Sequence, residues 1–142
     1  KGMGVGATIS DAETFAGERG RLSSTWGAGD YLAAAKGAFT IDAIDEYDLL
    51  DNAVERGQQF QELMRDADLD GVTSVRGKGL MLGLDFESTE LRDDIIDAAF
   101  ARGLLLLACG KYTIRVLPPM DVTEREIELG AALFTEAIEA SN

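Results

Sequence analysis

The sequence has no histidine, one cysteine (Cys109) and two prolines, and its 13 Lys and Arg stand against 26 Asp and Glu in 142 residues. Each shortage excludes something. Without histidine the commonest metal ligand and the commonest general base are gone, so no metal centre is expected and any base must be Lys, Asp, Glu, Tyr or Cys. A lone cysteine forms no internal disulfide, so the chain needs no oxidising compartment and a cytoplasmic location is expected. A net charge of -13 opposes long-range attraction to nucleic acid or to an anionic membrane, and neither is expected as a partner. The longest apolar run, Leu104 to Cys109, falls far short of the roughly 20 residues of a membrane-spanning helix. The chain opens on Lys1 without an initiator Met, and Gly2 to Gly6 is neither a signal-peptide core nor an Arg-rich transit helix. It is therefore expected to be a piece of a longer protein.

What is present is an ordinary folding composition, with 46% apolar and 27% charged residues. The acids are spread along the chain and are not massed in a tail. Carboxylate-dense surfaces stay hydrated where salt screens their self-repulsion, so a salt-rich cytoplasm, and hence a halophilic source, is expected.

Residues 1 to 30 are rich in Gly, Ser, Thr and charge and predict strand and loop. From Tyr31 the period becomes helical: Leu32, Ala35, Phe39 and Ala43 recur at helix spacing up to about Glu46, after a plausible start at Gly29-Asp30. A second helix, about Leu49 to Ala67, carries a stripe of Leu50, Val54, Phe60 and Met64. Val72 to Arg76 and Leu80 to Phe86 predict two strands flanking Gly77-Lys78-Gly79, where glycines permit a tight reversal. Ser88 is placed to cap a third helix with Leu91, Ile95 and Ala99 on one face and Gly103 at its end. Leu104 to Ala108 predicts a buried strand, and Thr113 to Leu117 another, stopped by Pro118-Pro119. Thr123 and Glu126 have the spacing of a capping box ahead of a last helix striped by Ile127, Ala131, Phe134 and Ile138. The order predicts a small α/β layer, with helices packed on one face of a mostly antiparallel sheet.

Three segments could carry chemistry. Gly2-Met3-Gly4-Val5-Gly6-Ala7 satisfies the letters of a dinucleotide-binding turn, but no strand precedes it and a strand-like stretch follows where a helix is required, so a plain glycine-rich turn is preferred. Ser23-Ser24-Thr25-Trp26-Gly27 clusters hydroxyls ahead of a helix start, which suits either an anion or simple N-capping. Arg115 lies inside a short apolar strand. A guanidinium there either points to solvent, as alternation alone favours, or binds a carboxylate bidentately. Arg76 and Lys78 flank the glycine turn and are taken as structural.

Four blocks in order, Lys1-Gly2-Met3-Gly4-Val5-Gly6, Ser24-Thr25-Trp26-Gly27, Val75-Arg76-Gly77-Lys78-Gly79-Leu80-Met81 and Ile114-Arg115-Val116-Leu117-Pro118-Pro119, resemble the C-terminal part of the class III (ω-amino group) aminotransferases. That family includes the ornithine, acetylornithine, 4-aminobutyrate and lysine aminotransferases, which use pyridoxal 5'-phosphate. The resemblance implies the C-terminal portion of the fold type I transferase: residues 1–46 as the end of the large cofactor-binding domain with a linking helix, and residues 47–142 as the small C-terminal domain. It implies that Lys1 is the lysine that bonds covalently to the cofactor and shuttles protons. It implies that Thr25, beside Ser24, binds phosphate and serves the cofactor of the neighbouring subunit in a homodimer, and that Arg115 receives the substrate carboxylate. Two stretches depart from the family pattern. The segment between Lys1 and Thr25 is shorter than in most relatives, and Gly27-Ala28-Gly29-Asp30 stands where many have Gly-Gly-Asn-Pro. The remaining cofactor contacts are expected upstream of Lys1, so these residues alone are not expected to be active.

The implied reaction moves an amine from an amino acid or ω-amino acid to a 2-oxo acid such as 2-oxoglutarate. An aminomutase or racemase on the same fold is the alternative that keeps lysine and cofactor, and a non-catalytic truncated remnant is the alternative that keeps neither.

Overall fold

The computed structural model describes residues 4, 6, 9–14, 16 and 30–142. The chain divides into two compact units, 1–47 and 48–142.

In the first unit, residues 12–14 form a turn closed by the Thr14 amide, which donates to the Asp11 carboxylate at 2.8 Å. Helix α1 spans Tyr31–Glu46, and the Asp30 side chain caps it by accepting from the Ala33 amide at 3.0 Å. The expected helix is there, but its expected apolar stripe is not buried: Leu32 is 73% exposed and Phe39 72%, while Ala33 is the buried position. Alanines at 33, 34, 35, 38 and 43 favour a helix on propensity alone, so the element forms without a stripe to bury.

The second unit follows the expected order: α2 (Leu49–Asp66), β1 (Val72–Lys78), β2 (Met81–Phe86), α3 (Thr89–Ala101), β3 (Leu107–Cys109), β4 (Thr113–Val116) and α4 (Glu124–Glu139). The strands form one antiparallel sheet in the order β1-β2-β4-β3. Helix starts are where the capping residues sit. Ser88 accepts from the Leu91 amide at 3.0 Å, and Thr123 and Glu126 form the reciprocal capping box. α3 ends at Gly103, whose φ of +84° suits a residue without Cβ.

Alternation along the strands sorts the sheet into two faces. Leu82, Leu84 and Phe86 of β2 and Ile114 of β4 are buried against the helices. Phe134 of α4 stands in the centre, its ring 6.5 Å from those of Phe60 and Phe86, with Ile95, Ala99, Ile127 and Ile138 around it. Among the described residues no helix is long and apolar enough to cross a membrane.

Helix α2 meets the sheet differently from the expected stripe. Phe60 and Met64 are buried, but Leu50 and Val54 are 62% and 51% exposed, and the inward face carries Ala53 and Gly57 in their place. The reason is close approach of backbones. The β1–β2 hairpin turns at Gly79, which has φ +53°, and presses onto Gly57, where a Cβ would lie 2.5 Å from the Gly79 carbonyl carbon. Only a residue without a side chain fits there.

The second correction concerns the apolar run at residues 104–108. It is not a buried strand: β3 is the three residues Leu107–Cys109 at the sheet edge, all exposed, with Leu105 78% and Leu107 60% exposed. Leu104 and Leu106 pack partly against the core, and their neighbours point away because an edge strand has one partner and, among the described residues of this unit, its second face meets no helix.

Both ends of β4 are tied to helices. Asn52 of α2 donates to the carbonyls of Met120 (2.8 Å) and Val122 (3.0 Å), holding the Pro118-Pro119 loop that follows the strand. Arg92 of α3, buried, donates to the carbonyls of Gly110 (3.2 Å) and Lys111 (3.1 Å), holding the turn that precedes it. Asp93 at 2.7 Å balances its charge.

Candidate functional site

The face of the sheet away from the helices gathers the polar residues of all four strands. Cross-strand pairing sets them in rows: Ser74, Asp85, Thr113 and Cys109 form one, and Arg76, Gly83, Arg115 and Leu107 the next. Lys78 and Met81 begin a third. Arg115 and Arg76 thus lie two strands apart with Gly83 between them, buried beneath the Thr113 methyl and the Arg76 guanidinium, and an open concavity on this face is rimmed by Arg76, Arg115, Gly77 and Leu117.

The two arginines are in different electrostatic states. Arg76 makes a bidentate pair with Asp85, Nε to Oδ2 at 2.9 Å and Nη2 to Oδ1 at 3.0 Å, and donates to the Thr113 hydroxyl at 3.3 Å. The Thr113 hydroxyl in turn donates to Asp85 in a short hydrogen bond. The Arg76 guanidinium, and then the Thr113 hydroxyl, hold the Asp85 carboxyl below its ordinary range. The Arg115 side chain has no ion-pair or hydrogen-bond partner among the described residues and is exposed. Among the described residues it is a fork-shaped donor without a partner, of a shape suited to a carboxylate.

A carboxyl titrating lower in the folded chain than in the unfolded one adds stability above its unfolded pKa, and that stability disappears as pH falls through the folded one. Asp85 therefore contributes fully above about pH 4 and progressively less below it. In urea unfolding from pH 6 to pH 2, Asp85→Asn is expected to be the less stable form at pH 6, with its deficit shrinking on acidification. A deficit independent of pH would remove the ion pair as its source.

Of the residues singled out in the sequence, Arg115 is on this face, as alternation placed it. Lys1, Ser24 and Thr25 lie outside the described residues, as does Trp26. Arg76 lies in β1 as expected and is ion-paired to Asp85 on the same face as Arg115, and the strand runs two residues further than expected, to include Lys78. Asp85, Thr113 and Gly83 were not foreseen. A signal was available, since Gly83 and Asp85 alternate with Leu82, Leu84 and Phe86, and Thr113 stands two residues from Arg115.

Solved structures similar to this chain include aminotransferases. The lysine aminotransferase from M. tuberculosis in the internal aldimine form superposes with a TM-score of 0.81 at 28% identity, covering 87% of this chain and 29% of that one. The acetylornithine aminotransferase from Elizabethkingia anophelis gives a TM-score of 0.82 at 25% identity, covering 89% and 34%. The chain belongs to the aminotransferase class-III family, whose model matches residues 1–138. Its fold is the C-terminal portion of the fold type I transferase. Among its relatives, the L-lysine-epsilon aminotransferase of Amycolatopsis lactamdurans is 34% identical over 125 residues, 85% of this chain and 27% of that protein. The acetylornithine aminotransferase of Streptococcus mutans is 34% identical over 144 residues, 99% and 37% respectively. The chain spans about a third of the length of the relatives it matches.

Proposed function

We propose that this chain is the C-terminal part of a pyridoxal 5'-phosphate-dependent aminotransferase that moves an amine between an amino acid or ω-amino acid and a 2-oxo acid such as 2-oxoglutarate. The observation that carries the reading is the exposed Arg115 guanidinium, without an ion-pair or hydrogen-bond partner among the described residues, on the sheet face opposite α2, α3 and α4. Family membership supports the rest. The donor set fits the cofactor: a primary amine (Lys1) for its aldehyde and hydroxyls (Ser24, Thr25) for its phosphate, with Arg115 left for the substrate. When bound, the cofactor supplies an electron sink for the bond broken at the substrate carbon.

This chain's own groups do the remainder. Arg115 fixes the substrate carboxylate through two parallel hydrogen bonds, which orients the carbon that exchanges its proton. Lys1 Nζ accepts that proton and returns it; a chain without histidine can run the reaction because one lysine is both nucleophile and base once its amine is desolvated or placed near positive charge. Residues 1–46 belong to the cofactor-binding domain and 47–142 to the small domain, and in a homodimer Thr25 serves the neighbouring subunit. The acidic surface suits a salt-rich cytoplasm.

The test is mass spectrometry, intact and after digestion, on borohydride-reduced protein purified from its own host. A pyridoxyl adduct on the Lys1 side chain, in a chain of several hundred residues, is the expected result. Absence of any adduct, or a mass of the 142 residues alone, overturns the reading. An adduct confined to a terminal α-amine does not count as support, since any free amine condenses with the aldehyde.

A further inference from the structure

On its face of the sheet Arg115 stands at a boundary between polar and apolar rows. Two residues back along β4 is Thr113, hydrogen-bonded to Asp85 and Arg76, so that row is polar and its groups bond to one another. Two residues onward is Leu117, and the register that pairs Leu82 with Val116 brings Met81 opposite it. Leu117 is 58% exposed and Met81 67%, and both line the concavity that Arg115 rims. Residues two apart on a strand are about 7 Å from each other and neighbouring strands about 4.8 Å, so both side chains are within reach of a short aliphatic stem whose carboxylate Arg115 holds. Single exposed apolar residues are ordinary on a surface. An apolar pair beside a guanidinium that has no partner among the described residues is a different case, since it offers both chemistries of an aliphatic carboxylate in one concavity.

We propose that Met81 and Leu117 are specificity-determining residues that form the apolar half of the Arg115 subsite: the guanidinium holds the carboxylate, and the two side chains cover the methylene stem next to it. The inference rests on the reading of Arg115 as the carboxylate-binding residue and adds what selects the rest of the molecule. The stem runs toward this row and not toward Thr113. Covering methylenes with Met81 and Leu117 removes apolar surface from water on both partners, whereas laying them over Asp85 and Thr113 would take water from polar groups without an apolar contact in return. 2-Oxoglutarate and the ω-amino acids both carry such a stem, so the one surface serves donor and acceptor.

The test is the inhibition constant of straight-chain carboxylates, propanoate through hexanoate, measured against the amino donor in the complete enzyme and its variants. Each added methylene is expected to tighten inhibition by about two- to fourfold, the range for partial to full burial of one CH₂. In the double variant Met81→Ser/Leu117→Ser the series should become nearly flat, while propanoate, which has little stem to cover, should change little. In Arg115→Ala every member should weaken. A flat series in the unaltered enzyme, or a slope that the double variant keeps, overturns the subsite, and leaves Arg115 standing where Arg115→Ala still weakens every member. A series indifferent to Arg115→Ala overturns both. Should the double variant not fold, Leu117→Ala decides, since it only shortens an exposed side chain: a slope equal to that of the unaltered enzyme overturns the proposal.

Discussion

Replacing Arg115 with alanine in the complete enzyme is expected to raise KM for a carboxylate-bearing donor, and for the 2-oxo acid, by about 10- to 150-fold, the equivalent of ~1.5–3 kcal/mol for a charge-assisted pair. The side chain is exposed and makes no ion pair or hydrogen bond among the described residues, so its loss orphans no buried group. Thermal stability should therefore stay within about 0.5 kcal/mol of the unaltered protein, as for an ordinary surface position. That combination separates a binding role from a folding one. Arg115→Lys keeps the charge but loses the planar fork, and should recover only part of the affinity. Steady-state kinetics for both half-reactions, with a melting curve for each variant, is the measurement; unchanged KM for donor and acceptor alike would return Arg115 to an ordinary solvent-facing arginine.

The second large effect concerns Gly57→Ala. In an exposed helix interior, glycine to alanine stabilises by about 1 kcal/mol. Here the opposite sign is expected. The new Cβ would stand 2.5 Å from the Gly79 carbonyl carbon and 3.0 Å from its Cα, and backbone atoms cannot rotate aside as the end of a side chain does. Either α2 lifts from the hairpin or the hairpin shifts, and forcing one methyl into a packed contact typically costs ~1–3 kcal/mol, enough to outweigh the helix gain. A net loss of up to about 2 kcal/mol should lower Tm by as much as ~10 °C for a domain of this size. Gly130→Ala in α4 is the control, because nothing lies within 4 Å of its added Cβ and the full helix gain should appear. If both variants are stabilised alike, the helix and hairpin do not approach as described.

Local rules carried well wherever the deciding interactions are local. The Thr123-Glu126 box and the Ser88 cap lie within one turn of the helices they start, and both were legible as short spacings. So was the order of elements from Leu49, because period and punctuation by Gly and Pro are properties of neighbouring residues. What was not legible depended on which surface an element meets. The inward face of α2 is decided by Gly79, 22 positions away in sequence, so Leu50 and Val54 looked like core and are not. The leucines at 104–107 have the composition of a buried strand, but burial requires a layer on each face, and within this unit the described helices cover one. Alternation assigned Arg115 to a face; it carried no information on what else that face holds. Asp85 became visible as its neighbour only once β2 was seen to pair with β4 in the register Gly83 to Arg115.

The ties at both ends of β4 have a thermodynamic consequence for recognition. With Asn52 gripping the loop after the strand and Arg92 the turn before it, the backbone beneath Arg115 is held at both ends by the chain's own hydrogen bonds. Ordering backbone takes about 1–2 kcal/mol per residue, and that entropy is lost on folding rather than at the encounter with an anion. Association then freezes little beyond the torsions of one arginine side chain. Slow amide exchange at Ile114 and Val116, unaltered by saturating carboxylate, would be the signature of this preorganisation.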